Sequence, residues 1–436
     1  MSGLNPQALE ANTIIRKNNP AVYELLSKKG RSIYYPSKGI LAQGSAAKGK
    51  EINATIGTAY EDDGSPMVLP GIADLIHADR KDVFPYAPSQ GLNSLREKWR
   101  ELIKQKNPSL ADSLISLPVA ACGVTNALSI IGYLFIDEGE ELILSDLYWE
   151  NYDLVFGNAF GAELEYFNFF KDGVFDIDSF RKKVCDGPAG KKTVLLNFPN
   201  NPSGYSPTPE AADEIVQALQ ESAEAGNHLV VILDDSYFGL IFEDGIYGES
   251  LFARLASLHE NLLAVKADGI TKEEYAWGLR IGFITYGIKN GTRELYEALE
   301  GKTAGAIRGN ISNASHPAQS LFLKSLTSGN HETEKERNKQ IIRERYNKVK
   351  AVLTSHREYQ EYFSALPFNS GYFMCIRLKN LDTEKVWRQL LDTYNTGVIC
   401  YAEKNLFRIA FASTPTEKIE KLFNNLYAAC RDCASR

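Results

Sequence analysis

The chain has 436 residues, with 44% hydrophobic and 24% charged side chains, ordinary proportions for a globular protein of one large domain and a smaller companion. Its 48 basic and 55 acidic residues give a net charge of −7, which argues against a basic surface for nucleic acid or anionic membrane. No apolar run reaches the length of a membrane span, and Met1–Asn12 lacks the regions of a secretory leader, so a cytoplasmic protein is expected.

Residues 1–50 are polar, helix-prone over Ala21–Lys28, with a Gly/Ser/Lys-rich loop expected at Lys38–Lys50. Ile52–Gly57 reads as a short strand ending in glycine, followed by a turn at Glu61–Pro66. From about residue 70 helices alternate with short apolar strands. Asn93–Lys106 is predicted helical, Val119–Cys122 a strand, and Gly123 opens the next helix. Further strands are predicted at Glu141–Ser145, Lys192–Phe198, Leu229–Leu233, Leu262–Val265 and Ile281–Tyr286. This alternation predicts a mostly parallel sheet covered on both faces, with ligands outside the carboxyl ends of its strands.

From about residue 330 the composition shifts. His331–Thr354 reads as a long charged helix, Tyr372–Leu378, Val398–Cys400 and Phe407–Phe411 as strands, and Glu417–Cys430 as a last helix. The expected division is 1–69 as a segment joining the small domain, 70–330 as the large domain and 331–436 as a small α+β domain. Six cysteines (122, 185, 375, 400, 430 and 433) lack a disulfide-framework spacing, and Cys430-x-x-Cys433 has no second pair. Reduced thiols and no metal site are expected.

Several polar motifs follow directly on the apolar strands. Gly123-Val124-Thr125-Asn126 sits at a strand-to-helix junction, where free N–H groups and the helix dipole suit an anion. Trp149 can stack on a flat heteroaromatic ring or fill core. Asn197-Phe-Pro-Asn-Asn201-Pro202-Ser203-Gly204 presents side-chain amides at the sheet edge on a turn fixed by Pro and Gly. Asp234 and Tyr237 follow the next strand; the acid can hold a pyridine nitrogen protonated or cap a helix. Lys272 lies between two strands, where it can form an imine with an aldehyde cofactor, and Arg280 behind it can grip an anionic handle.

In this order and spacing the motifs resemble the class I/II aminotransferases that use pyridoxal 5′-phosphate, over about Ile52 to Phe411. The resemblance implies their fold, a seven-stranded-type large domain with a smaller α+β domain formed by both chain ends. It implies that Lys272 is the Schiff-base lysine and proton shuttle, that Asp234 partners the pyridinium, and that Tyr237 and Asn201 bond the ring oxygen. Trp149 matches the residue stacked on the ring, and Val124, Thr125 and Arg280 match phosphate binders. Tyr86, in Tyr86-Ala-Pro-Ser-Gln-Gly91-Leu, is similar to the tyrosine that reaches the phosphate of a neighbouring subunit, which implies a homodimer with shared sites. Arg408 matches the arginine that grips the substrate α-carboxylate, and Gly57 the glycine lining the substrate pocket; Asn201 also faces substrate.

Two stretches, Ile52–Pro70 and Ile307–Asn313, are similar to those of aspartate and aromatic aminotransferases. There Arg308 matches a second arginine, for the distal carboxylate; a surface or dimer contact is the alternative. The implied activity is transfer of an amino group from a dicarboxylic or aromatic L-amino acid to a 2-oxo acid, such as 2-oxoglutarate. A pyridoxal-phosphate lyase or synthase, such as a cysteine-sulfur β-lyase, would carry the same cofactor motifs. A non-catalytic ligand sensor would need a DNA-binding domain, and residues 1–50 show no helix-turn-helix pattern. The chain departs from the family at Gly269, where serine is usual, at Thr271, often serine, at Leu147, often proline, and in a bulkier Lys272–Trp277 stretch.

Overall fold

Apolar, β-branched runs separated by amphipathic helices build the sheet that carries the site. The computed structural model describes residues 4–434 except 19, 21, 22, 24, 25, 35–38, 74, 76–78, 111 and 112. Helix α1 (Ile40–Ala46) precedes strand β1 (Ile52–Asn53), and helix α2 (Asn93–Lys106) leads to β2 (Val119–Ala121) and helix α3 (Gly123–Phe135). The large sheet is completed by β3 (Glu141–Ser145), β4 (Glu163–Phe167), β5 (Lys191–Asn197), β6 (His228–Asp234), β7 (Leu262–Gly269) and β8 (Gly282–Gly287). Its order is β2-β8-β7-β6-β5-β3-β4, and β8 alone runs antiparallel to its neighbours.

One face of this sheet packs on a core that includes Trp99, Phe180 and Leu219, the other on Leu128, Ile131, Phe156 and Ile307. All but β8 therefore deliver their carboxyl ends to one edge, as a parallel sheet covered on both faces must.

Helix α4 (Arg293–Asn310) and helix α5 (His331–Ser355) lead to a four-stranded antiparallel sheet. It consists of β9 (Phe363–Ala365) and β10 (Phe373–Leu378), then β12 (Ile399–Tyr401) and β13 (Leu406–Ala410), in the order β9-β10-β13-β12; the short β11 (Thr396–Gly397) pairs in parallel with β1. A third core joins α5 to this sheet through Ile342, Tyr346, Phe407 and Phe423. Among the described residues no helix is long and apolar enough to cross a membrane.

Three expectations change. The stretch expected as a loop at 38–50 contains α1; Lys38, like Ala21, Val22, Glu24 and Leu25, lies outside the described residues. The strand expected at Ile52–Gly57 stops after Asn53, because β11 offers only Thr396 and Gly397 as partners. Strand β7 runs four residues past its apolar run, because Lys266 and Asp268 are buried within the sheet by pairing. Lys266 Nζ forms an ion pair with Asp235 and lies 3.5 Å from Asp268, which accepts the Trp99 indole N–H at 3.0 Å. Charged residues that satisfy one another inside are invisible to a hydrophobicity count.

Candidate active site

Asn197 and Asp234 end adjacent parallel strands in register, and Asn197 ties the two ends together. Its amide donates to the Asp234 carbonyl at 2.7 Å, while its Oδ1 accepts the backbone N–H of Asn201 at 2.8 Å. Asp234 is buried, and burial alone pushes its carboxyl up. Donors oppose that rise: the Tyr152 hydroxyl at 2.6 Å on one oxygen, and the Ser236 hydroxyl and N–H at 2.6 and 3.1 Å on the other. Burial likewise raises the Tyr237 phenol.

Lys272 sits on the loop between β7 and β8. Its amine donates to the Gly57 carbonyl at 2.6 Å, and its own carbonyl accepts the Tyr372 hydroxyl at 2.7 Å. Loss of solvent around the amine, reinforced by the Arg408 and Arg280 cations, lowers its pKa from 10.5 to about 7. An amine of such lowered basicity gives up its proton far more readily than an exposed lysine, as a nucleophile or base must.

Arg408, buried on β13, donates to Asn201 Oδ1 at 3.2 Å and to the Thr55 carbonyl at 3.0 Å, with its guanidinium 4.3 Å from the Phe373 ring centroid. Its Nε is buried and has no hydrogen-bond partner among the described residues. Arg280 approaches from the end of the Lys272 loop, just before β8, in a left-handed conformation (φ 53°). Its guanidinium lies against Gly123, whose φ of +76° at the start of α3 is a conformation that favours glycine.

These groups line one cavity of ≈ 750 Å³. Lys272, Asp234, Tyr237, Asn201, Trp149, Val124, Thr125, Arg280, Arg408 and Gly57 all contribute to its wall. Two expected residues do not. Tyr86 is 89% exposed, and Arg308 is an exposed residue in the last turn of α4, donating to Ser312 Oγ at 3.3 Å. The segments carrying them meet: Ser89 Oγ donates to the Ser312 carbonyl at 2.9 Å, and His316 Nδ1 lies 2.8 Å from the Pro85 carbonyl.

Among the contributors not anticipated are Tyr152, Ile40 and Lys48. Tyr152, on the Trp149 motif, is spaced one helical turn from Trp149, and that periodicity was the available signal. Ile40 and Lys48 bring α1 and the residues after it onto the cavity wall. Gln43 fixes α1 by exchanging two hydrogen bonds with the Cys400 backbone, at 2.9 and 2.5 Å, and the adjoining Ala47 is fully buried against Gly397. Lys48 is exposed and has no ion-pair partner among the described residues. The departure at Gly269 also has a reason. A Cβ there would lie 2.5 Å from the Ile281 carbonyl and 2.9 Å from Gly282 Cα, so a serine does not fit beside β8.

The cavity suits a flat, anionic, heteroaromatic aldehyde. It offers a buried carboxylate for a ring N–H, an amine of lowered basicity for a carbonyl, and a helix N-terminus beside an arginine for a phosphate.

Comparison with known proteins agrees. Residues 52–426 match the family described as aminotransferase class I and II. Aspartate aminotransferase of Geobacillus stearothermophilus is 29% identical over 245 residues, 54% of this chain and 58% of that protein. Cytoplasmic aspartate aminotransferase of Saccharomyces cerevisiae is 24% identical over 330 residues, 72% of this chain and 76% of that protein. A probable aspartate/prephenate aminotransferase of Aquifex aeolicus is 27% identical over 48% of this chain and 50% of its own, so some of these matches span only about half of the relative's length. The crystal structure of an aminotransferase from Anaerococcus prevotii superposes with a TM-score of 0.81 at 26% identity, over 93% of this chain and 99% of that one. The chain is a member of the class I and II aminotransferases, a family that works with pyridoxal 5′-phosphate.

Proposed function

We propose that the protein transfers an amino group from a dicarboxylic or aromatic L-amino acid to a 2-oxo acid, with 2-oxoglutarate as the expected acceptor. The observation that carries this reading is the convergence of Lys272, with its pKa near 7, and buried Asp234 on one cavity. Pyridoxal phosphate, when bound, supplies a carbonyl that condenses with amines and a ring that accepts the electrons released at the substrate Cα.

The chain's own residues do the rest. Asp234 would hold a proton on the ring nitrogen, Tyr237 and Asn201 would bond the ring oxygen, and Trp149 would pack against the ring. Arg280, Thr125 and the N–H groups that open α3 hold the phosphate. Lys272 Nζ would take the proton from the substrate Cα and hold it for the return transfer. Arg408, already aimed by Asn201 and Thr55, holds the α-carboxylate and so turns the Cα–H bond towards Lys272.

The substrate side chain faces Ile40 and Lys48, and Lys48 is the cation on this wall that lies free for a second carboxylate. Tyr86 and Arg308 lie outside this cavity on segments joined by the Ser89–Ser312 and His316–Pro85 contacts, which supports a reading in which both reach the site of a second copy in a homodimer.

The test is an absorbance spectrum of the purified protein with pyridoxal phosphate, recorded while amino acids are added singly. A near-visible band that is bleached by particular amino acids, with glutamate formed from 2-oxoglutarate, supports the reading. Pyruvate and ammonia in place of glutamate would assign a lyase, and the absence of any band would remove the cofactor role.

A further inference from the structure

Two acids follow Lys272 directly, and neither lines the cavity. Glu274 is buried and lies 2.8 Å from His331 Nε2 and 3.5 Å from Lys335 Nζ, both on α5. Glu273 forms an ion pair with Lys106 at the end of α2 and lies 3.8 Å from Lys335. His331 is completed by Ser325 Oγ at 2.9 Å on its other ring nitrogen. The Glu273 carboxylate also rests on backbone, where a Cβ on Gly239 would come within 2.2 Å of Oε1. Burial by itself would raise the Glu274 carboxyl, but Lys335 and His331 hold it well below the usual range. Lys339, Arg343, Glu332 and Glu336 are further charged groups around the cluster.

Burying so many charges is a poor route to stability, because desolvation consumes most of the Coulombic gain. What the cluster does fix is geometry. The loop it anchors contains two non-glycine residues in the left-handed region, Tyr275 (φ 51°) and Arg280 (φ 53°). Such conformations persist only where the surroundings over-determine them. Two consecutive carboxylates moored to cations of α2 and α5 provide that constraint.

We propose that Glu273 and Glu274 are positioning residues for the lysine: their ion pairs with Lys106 on α2 and with His331 and Lys335 on α5 hold the strained loop so that the Lys272 amine faces the cavity. This rests on the role proposed above for Lys272.

The experiment compares the full-length wild type with Glu274→Gln and Lys106→Met, all loaded with pyridoxal phosphate. It reads kcat and KM separately, the pH midpoint of the near-visible band, and the thermal midpoint. The expected result is a fall in kcat of about 10-fold or more with KM little changed, because an amine displaced by less than an ångström still binds but transfers protons poorly. The band's pH midpoint is expected to move in the same variants, and Glu274→Asp to recover part of kcat. Lower thermal stability with kcat and the pH midpoint unchanged would overturn the proposal and leave a structural cluster only. Lys106→Met, on the less buried arm, gives the answer if Glu274→Gln does not fold. A wild type without band or transfer would defeat the role of Lys272 itself, whereas a normal wild type with unmoved variants defeats only the positioning role.

Discussion

Tyr152 donates its hydroxyl to Asp234 at 2.6 Å, and both residues are buried. Burial drives the Asp234 carboxyl above its usual range, and this donor and Ser236 oppose that rise by stabilising the carboxylate form that a protonated ring nitrogen needs. Tyr152→Phe preserves the packing and deletes the bond. A hydrogen bond to a charged group is worth about 1.5–3 kcal/mol, so kcat/KM is expected to fall by ~10–100-fold with the near-visible band retained. Steady-state kinetics check this, and an unchanged kcat/KM would remove Tyr152 from the site.

The lowered basicity of Lys272 has a sign that can be followed in the cofactor-free protein. Its amine loses its proton near pH 7 when folded and near 10.5 when unfolded. Between those values the unfolded chain binds the extra proton, so the lysine's unfavourable contribution is full below pH 7 and fades as pH rises towards 10.5. Lys272→Met is therefore expected to be more stable relative to wild type at pH 6 than at pH 10. Chemical denaturation across that range measures the difference, and a pH-independent gap would contradict the shifted amine.

Lys48 and Arg308 make competing predictions about substrate. If Lys48 receives a second carboxylate, Lys48→Ala raises KM for aspartate and glutamate about 5-fold, more so at low salt, and leaves an aromatic donor unaffected. If a second copy brings Arg308 to the site, Arg308→Ala lowers kcat/KM for the same two acids. Unchanged kinetics in the Arg308 variant would end its distal-carboxylate role.

Gly269→Ser tests whether this chain can regain the serine usual in its family. The added Cβ meets the Ile281 carbonyl and the backbone of Gly282. Overpacking against backbone costs typically ~1–3 kcal/mol, so a lower thermal midpoint and weaker retention of pyridoxal phosphate are expected. Tighter retention would show that β8 yields and the phosphate gains a contact.

The parts of the site legible in the sequence share one property. Asn201, Asp234 and Lys272 each follow an apolar run, and such runs announce strands without help from distant residues. Helix α1 was not legible, because Ile-Leu-Ala-Gln-Gly-Ser-Ala carries two small breakers, and what secures it is Gln43 on a strand more than 350 residues later. Lys48 was lost with it. The carboxylates of Glu273 and Glu274 were hidden for a related reason: two acids in a row read as solvated, and only the cations of α2 and α5 make their burial possible.

The pairing of β1 with β11 and the grip of Gln43 on Cys400 also set an order of events during synthesis. The front wall of the cavity is made long before the partners that β1 and Gln43 dock against, residues 396–400. Until residues 396–408 are made, Gly57 is not in place to receive the Lys272 amine, and Arg408 does not exist. A nascent chain can thus assemble its large sheet first, but it completes the pocket only after Arg408 has been made.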